Sequence, residues 1–332
     1  MKPFLRSVLF GMGLVAVLPS LAATAQPGSA TFWLGGLDPV VVADRHASAP
    51  GDFMALFEPN APWQQAAAPV AAFKISMQFA SRSAEGDLST LITELQRRHI
   101  ALAIEIGMLP NDRGCGKGEG YMPTKLLDLA MKRIRRLGGR LDYVAMDEVV
   151  FFGHERYWPD KQGRACKDTI EELAKEIAVN VAAIDQYFPD AKVGDIEPIT
   201  SNQGFNPVQL AKDYLAFADL FQAATGKPLA FFHTDIAWRS PNWRPGIAPL
   251  KAGMRTRGIR YGIIIGGTPD QTDDVSWTRT GLDALKTLAG NPATAPQDVI
   301  IQSWQPLPTH YLPETRPGTT TWMLLEAERM MK

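Results

Sequence analysis

The stretch Leu141-Asp142-Tyr143-Val144-Ala145-Met146-Asp147-Glu148-Val149-Val150 reads as a buried strand that delivers two adjacent carboxylates to its C-terminal end. Tyr143, Ala145 and Asp147 share one face and Val144 and Met146 the other, the period of two of an extended chain. Charged groups are seldom left in such a place without a partner or a task. An apolar run carrying a polar group near its end recurs along the chain, and these runs set the fold.

Upstream, Thr31–Pro39 (TFWLGGLDP) is a first strand, and Pro62–Ala71 reads as a helix. Ala72–Ala80 (AFKISMQFA) alternates, with Phe73, Ile75, Met77 and Phe79 on one face and Lys74, Ser76 and Gln78 on the other. An amphipathic helix over Gly86–His99 leads to the strand Ala101–Leu109, which carries Glu105, and a basic helix follows over Thr124–Leu137. Downstream, a helix over Asp168–Tyr187 precedes the strand Ala191–Ile199 (AKVGDIEPI), where Asp195 and Glu197 are in phase. The helix Pro207–Thr225 stops at Gly226, and the strand Leu229–Trp238 carries His233 and Asp235 in phase. The helix Pro245–Arg257, the strand Arg260–Gly267, the helix Asp274–Ala289, the strand Asp298–Gln305 and a closing helix Thr319–Met331 complete the alternation.

Eight strands alternating with helices are the count for an α/β chain folded as a single (β/α)8 TIM barrel. A doubly wound open sheet is the runner-up, and its usual sign, a glycine-rich phosphate turn after the first strand, is missing. Gly35-Gly36-Leu37-Asp38-Pro39 is not a dinucleotide fingerprint, and Gly114–Gly120 is not a Walker motif.

A barrel strand turns one face to the helices and the other into the barrel. Taking the uniformly apolar face as the outer one, parity directs inward Lys74, Gln78, Glu105, Asp147, Asp195, Glu197, His233, Asp235, Gln302 and Trp304. Most lie toward the C-terminal ends of their strands, where active sites of such barrels sit. Lys74 and Glu105, on adjacent strands, are placed to form an ion pair. Strict parity turns Glu148 away from the lumen, but a local irregularity at the strand end re-aims a side chain, so either Asp147 or Glu148 is the working acid.

Two carboxylates flanking a bond are what glycoside hydrolysis needs, one kept protonated for the leaving oxygen and the other attacking or activating water. This makes Glu148, Asp147, Glu197 and Asp235 the candidate catalytic acids. Trp304, Lys74, Gln78, Glu105, His233, Gln302 and Trp238 are candidate substrate contacts, with Phe151, Tyr157 and Trp158 as further aromatic groups of the rim loops. The eight-strand pattern, the Asp147-Glu148 ending, Glu197 closing the fifth strand and the Ser303-Trp304 ending of the eighth together resemble the TIM-barrel glycoside hydrolases. In the large retaining clan of that superfamily the fourth strand closes with Asn-Glu, whose Glu is the acid/base. Here Asp147 stands for the Asn, and Ile263-Ile264-Ile265-Gly266-Gly267 lacks the nucleophilic Glu of the seventh strand. The segment Asp142–Glu148 is also similar to the Asp-Glu ending of spherulin-4-like and polygalactosaminidase-like barrels, where the Asp is functional.

The 34 basic and 35 acidic residues leave a net charge of -1, so no global field draws the chain to nucleic acid or to an anionic membrane. Lys2 and Arg6 precede an apolar segment from Val8 to Leu21, and Ala23-Thr24-Ala25 supplies small residues for cleavage. Residues 1–25 therefore read as a signal peptide, and 26–332 as an exported, periplasmic or secreted catalytic barrel with no membrane attachment after cleavage. Of the two cysteines, Cys115 and Cys166, a disulfide is the expectation in that compartment, since a metal site wants more ligands. No metal or other cofactor is expected. The competing readings are a metal-dependent barrel of the sugar isomerase type, using Glu105, Glu197, His233 and Asp235, and a non-catalytic carbohydrate-binding barrel. Five histidines in the chain and no His-x-His or His-Glu-x-x-His spacing weigh against the first.

Overall fold

A computed structural model describes residues 30–45, 51–112, 118–155 and 166–332. Its centre is a closed barrel of eight parallel strands. They are Thr31–Gly35, Val70–Ser76, Ala101–Ile106, Tyr143–Asp147, Lys192–Ile199, Phe231–Ile236, Arg260–Ile265 and Asp298–Ile301, referred to below as the first to eighth strands. Each pairs with the next in sequence, and the first closes on the eighth through Trp33 opposite Ile300. The principal outer helices are Glu85–Arg97, Thr124–Arg136, Ile170–Asp185, Pro207–Thr225, Arg244–Thr256, Asp274–Ala289 and Thr320–Met331.

Local chemistry places the ends of these helices. Thr169 and Glu172 form a reciprocal capping box before Ile170. Asn206 accepts the amides of Val208 and Gln209 while Pro207 pre-sets the first turn, and Gly226 ends that helix in the left-handed region at φ 74°.

The barrel interior is plugged by large and small side chains in complementary positions. Trp33, Phe231, Ile196, Ile264 and Ile300 fill the room left by Ala72, Ala103 and Ala145. The Trp33 ring lies 4.8 Å from Tyr143 and 5.0 Å from Phe231. Burying each such aromatic stabilises the fold by roughly 2–3 kcal/mol over leaving it in water. The plug also makes a floor, so anything above it opens only toward the C-terminal ends of the strands.

Three sequence expectations are corrected here. The helix expected over Pro62–Ala71 is a single turn, Gln64–Ala67, because Val70 already pairs with the first strand. The second strand stops at Ser76, whose hydroxyl accepts the amide of Phe79 and caps a short helix, Met77–Arg82. Gln78 therefore sits on that helix and not on the inner face of a strand.

The fifth strand runs in the opposite phase to the one expected. Ala145 stands opposite Gly194 and Asp147 opposite Ile196, so Gly194 and Ile196 face the lumen while Asp195 and Glu197 face the helices. The reason is steric. A side chain at Gly194 would meet the Phe231 ring at 2.5 Å, so the barrel interior accommodates that ring only where the fifth strand presents no Cβ.

Residues 1–25, Cys115, Tyr157 and Trp158 lie outside the described residues. Cys166 is buried. Among the described residues no helix is long and apolar enough to cross a membrane.

Candidate active site

The C-terminal end of the barrel opens into a cavity of about 260 Å³ whose wall carries Glu105, Glu119, Asp147, Glu148 and Asp235. A second cavity of about 370 Å³ adjoins it, shares Glu148, Asp235, Gln302 and Trp304, and adds Trp238 and Arg239. The third, fourth and sixth strands thus bring Glu105, Asp147 and Asp235 together from the inner face.

Glu148 reaches the same space by a different route. Its backbone φ is 52°, a left-handed conformation that costs an ordinary residue about 1–2 kcal/mol. Its N–H donates to the carbonyl of Ile196 at 2.8 Å, and the chain then turns, with the amide of Phe152 donating to the Glu148 carbonyl at 3.1 Å. That twist carries the side chain, which pleat parity would have sent outward, into both cavities. The neighbouring loop is pressed against this turn: a Cβ on Gly120 would meet the Glu148 carbonyl oxygen at 2.9 Å, and Leu109 and Asn111 tie the loop down through a short ladder of Leu109–Pro110 with Tyr121–Met122.

Burial and mutual repulsion hold the protons on these acids. Burial is the chief cause that raises the carboxyl of Asp147 well above the usual range, and Glu105 and Glu119 add to it. Glu148 is likewise raised well above its usual value by burial first, then by Glu119, Asp147 and Asp235. Asp235 is pushed up to about 7, again by burial and then by Glu119 and Glu105.

Lys74 is buried and ion-paired with Glu105. Gln302 lines the cavity; its Nε2 donates to Glu105 Oε2 at 3.3 Å, while its buried Oε1 has no partner among the described residues. Gln78 lines the first cavity from its helix, and Trp304 borders both cavities. Trp238 stands in the second cavity, its ring 5.4 Å from that of Trp243 in an edge-on contact.

Other expected members are placed elsewhere. Glu197 is fully buried behind the barrel wall and accepts the amides of Val150 at 2.6 Å and Phe151 at 3.0 Å, so it does not line the cleft. His233 faces inward but lies in the plug, its ring 4.8 Å from Trp33 and 4.4 Å from Phe231. Its Nε2 is 3.5 Å from Asp298, which Arg260 also binds, and burial lowers its pKa so that it stays neutral. Neither expected role in contacting a ligand fits these positions. Phe151 is buried against Phe205 and is a core residue, not part of the rim.

Glu119 was not singled out by sequence reasoning. Its only signal is a carboxylate in the glycine-rich run before Tyr121, which reads as loop composition until Gly107 and Gly120 are seen packing backbone to backbone beneath it. Among the described residues no three His, Cys, Asp or Glu side chains are grouped so as to hold a metal ion.

No known family profile matches the sequence, and no curated protein is similar enough to match it. Solved structures do resemble it in outline. A GH10 structure from Paenibacillus barcinonensis is 8% identical with a TM-score of 0.49, covering 91% of this chain and 96% of that one. A D-allulose 3-epimerase from Methylomonas sp. is 16% identical with a TM-score of 0.47, covering 92% and 98%. A beta-mannanase from the blue mussel Mytilus edulis is 12% identical with a TM-score of 0.46, covering 92% of each. The chain is a TIM barrel. That rests on its own strand order and closure, and likenesses this distant, divided between different chemistries, carry no argument about the reaction.

Proposed function

We propose that the cleft cleaves a glycosidic bond in an oligosaccharide or polysaccharide. The observation that carries this reading is the convergence of Asp147, Glu148 and Asp235 on one cavity from the C-terminal ends of two strands, with each carboxyl's affinity for its proton raised by burial. Such acids can serve as proton donor and as ionised partner at the same pH.

In this reading Glu148 is the proton donor to the leaving oxygen. Its burial and its acidic neighbours keep it protonated until the bond breaks. Asp235, whose pKa lies about 7, is the ionised partner that attacks the sugar carbon or takes a proton from the attacking water. Asp147, beside Glu148, sustains the high proton affinity of the site. Trp304 offers a flat apolar face to a sugar ring, and Trp238 a further surface in the adjoining cavity.

The test is a glycan panel assayed with the wild-type chain and with Asp147→Asn, Glu148→Gln and Asp235→Asn. A cleaved substrate together with full rates in all three variants would sink the assignment. Activity that disappears on exhaustive chelation and returns with a divalent ion would favour the isomerase-type reading, and binding without any change in glycan length would favour a non-catalytic receptor.

We further propose export, with removal of residues 1–25 and a Cys115–Cys166 disulfide in the mature chain. The N-terminal sequence and the mass with and without reduction test both.

A further inference from the structure

We infer that Glu197 is a positioning residue that holds Glu148 in the cleft from behind the barrel wall, an inference that rests on the proposed role of Glu148. The backbone of Glu148 is anchored on both sides to the same strand. Before the turn, its N–H donates to the carbonyl of Ile196 at 2.8 Å. After the turn, the amides of Val150 and Phe151 donate to the two carboxylate oxygens of Glu197 at 2.6 and 3.0 Å.

Ile196 and Glu197 are consecutive, so one stretch of the fifth strand grips the chain on either side of the left-handed residue. The amides that open the turn Phe151–Glu155 would otherwise be orphan donors in a buried place. A carboxylate satisfies both at once, and no shorter or apolar side chain at this position reaches them. With positions 148, 150 and 151 fixed to the fifth strand, the intervening backbone is held in the unusual φ that turns the Glu148 side chain toward the cavity.

The pair Asp195 and Glu197 shows why the second of these is the one that works. Both are buried and face the helices. Neither carboxyl oxygen of Asp195 has a partner among the described residues, whereas both oxygens of Glu197 do. Burial and then Asp195 raise the Glu197 carboxyl well above the usual range, and the two amide donors work against that rise.

The experiment compares Glu197→Gln and Glu197→Ala with Tyr214→Phe. Tyr214 is buried and donates to the Pro198 carbonyl at 2.7 Å, so its variant loses a hydrogen bond of the same barrel wall but none of the bonds from Ile196 and Glu197 to the turn. Crystal structures should show Glu148 at a negative φ, its carboxyl withdrawn from the cavity, in Glu197→Ala. The glutamine variant keeps one acceptor and should fold if the alanine variant does not, with the carboxyl partly withdrawn.

On a substrate that the wild type cleaves, kcat should fall about 100-fold in Glu197→Ala and about tenfold in Glu197→Gln with little change in KM, the scale of a misplaced catalytic group. Tyr214→Phe should stay near the wild-type rate. Glu148 remaining near φ 52° with its carboxyl in the cavity in both Glu197 variants would overturn the inference, as would an equal loss of rate in Tyr214→Phe. If Glu148 turns out of the cavity but the wild type cleaves no glycan, the positioning role stands and the glycosidase reading fails.

Discussion

Lys74 and Glu105 form an ion pair inside the barrel, at the edge of a cavity whose charged lining residues, among the described residues, are all acids. The cation is shut away from solvent, so it acts on the cleft through space and not by touching what enters it. Its charge lowers the proton affinity of both Asp147 and Asp235 against the larger raising effect of burial.

Lys74→Met should therefore have two separable effects. Stability should fall by about 3–5 kcal/mol at neutral pH, because Glu105 is left buried without its counter-ion. Glycosidase activity that depends on ionised Asp235 should need a higher pH, since removing a nearby positive charge raises that carboxyl further. Lys74→Met with Glu105→Leu should recover most of the stability in denaturant unfolding. A single variant as stable as the wild type would show that the pair contributes nothing to the fold.

The pH dependence of cleavage follows from Asp235. Its pKa is raised from 3.8 to about 7, and its proposed role requires the ionised form, so kcat/KM should fall as the pH drops through about 7. Asp235→Asn should remove that limb along with at least about 100-fold of the rate. A profile flat from pH 5 to 8 in the wild type would assign the ionised role to another group.

Much of the barrel was legible because its strands are short apolar runs punctuated by helix stops such as Gly226 and Gly258, and the inward placement of Lys74, Glu105, Asp147, Asp235 and Gln302 followed from alternation. The phase of the fifth strand was not. Lys192–Ile199 carries acids on one face and Gly194, Ile196 and Pro198 on the other, and taking acids as lumen-facing reversed it. The deciding contact, Gly194 under the Phe231 ring, joins residues on different strands and has no local signature. The aim of Glu148 was equally hidden, because a left-handed φ at a glutamate is imposed by the Ile196 carbonyl and the Glu197 carboxylate and not by its own neighbours.

Asp195 carries a stability prediction. Burial raises its carboxyl well above the usual range, so the folded state holds a proton that the unfolded chain releases near pH 4. A group raised in this way is neutral and harmless at low pH and opposes folding as the pH climbs toward its folded-state pKa. Asp147, Glu148 and Glu197 act in the same direction. Thermal stability should thus decline from pH 5 to pH 8, and Asp195→Asn should reduce the slope and raise the melting temperature at pH 8 while leaving cleavage near the wild-type rate. An unchanged slope would mean that Asp195 binds as many protons in the folded chain as in the unfolded one over this range.

Trp304 borders both cavities and is half-buried, and in the proposed function it is the surface on which a sugar ring would rest. Trp304→Ala should raise KM roughly tenfold, equivalent to about 1.4 kcal/mol of lost binding, with a smaller change in kcat. A fall confined to kcat would place Trp304 against the reacting sugar and not in a subsite beside it.

Glu148 combines a strained backbone with a carboxyl forced to keep its proton, so the residue should cost the fold stability that the reaction uses. Glu148→Asn separates the two contributions when set beside Glu148→Gln. Asparagine tolerates the left-handed region better than most residues, so its variant relieves backbone strain of about 1 kcal/mol and removes the buried acid together. Glutamine removes the acid and leaves the backbone strained at φ 52°. Both should lose roughly a thousandfold in rate, the scale of a missing proton donor, while Glu148→Asn unfolds at a higher denaturant concentration than Glu148→Gln, and both at a higher one than the wild type at pH 8. If Glu148→Asn is instead the least stable of the three, the left-handed turn is not strained, and its cause must lie in contacts of the Glu148 side chain itself.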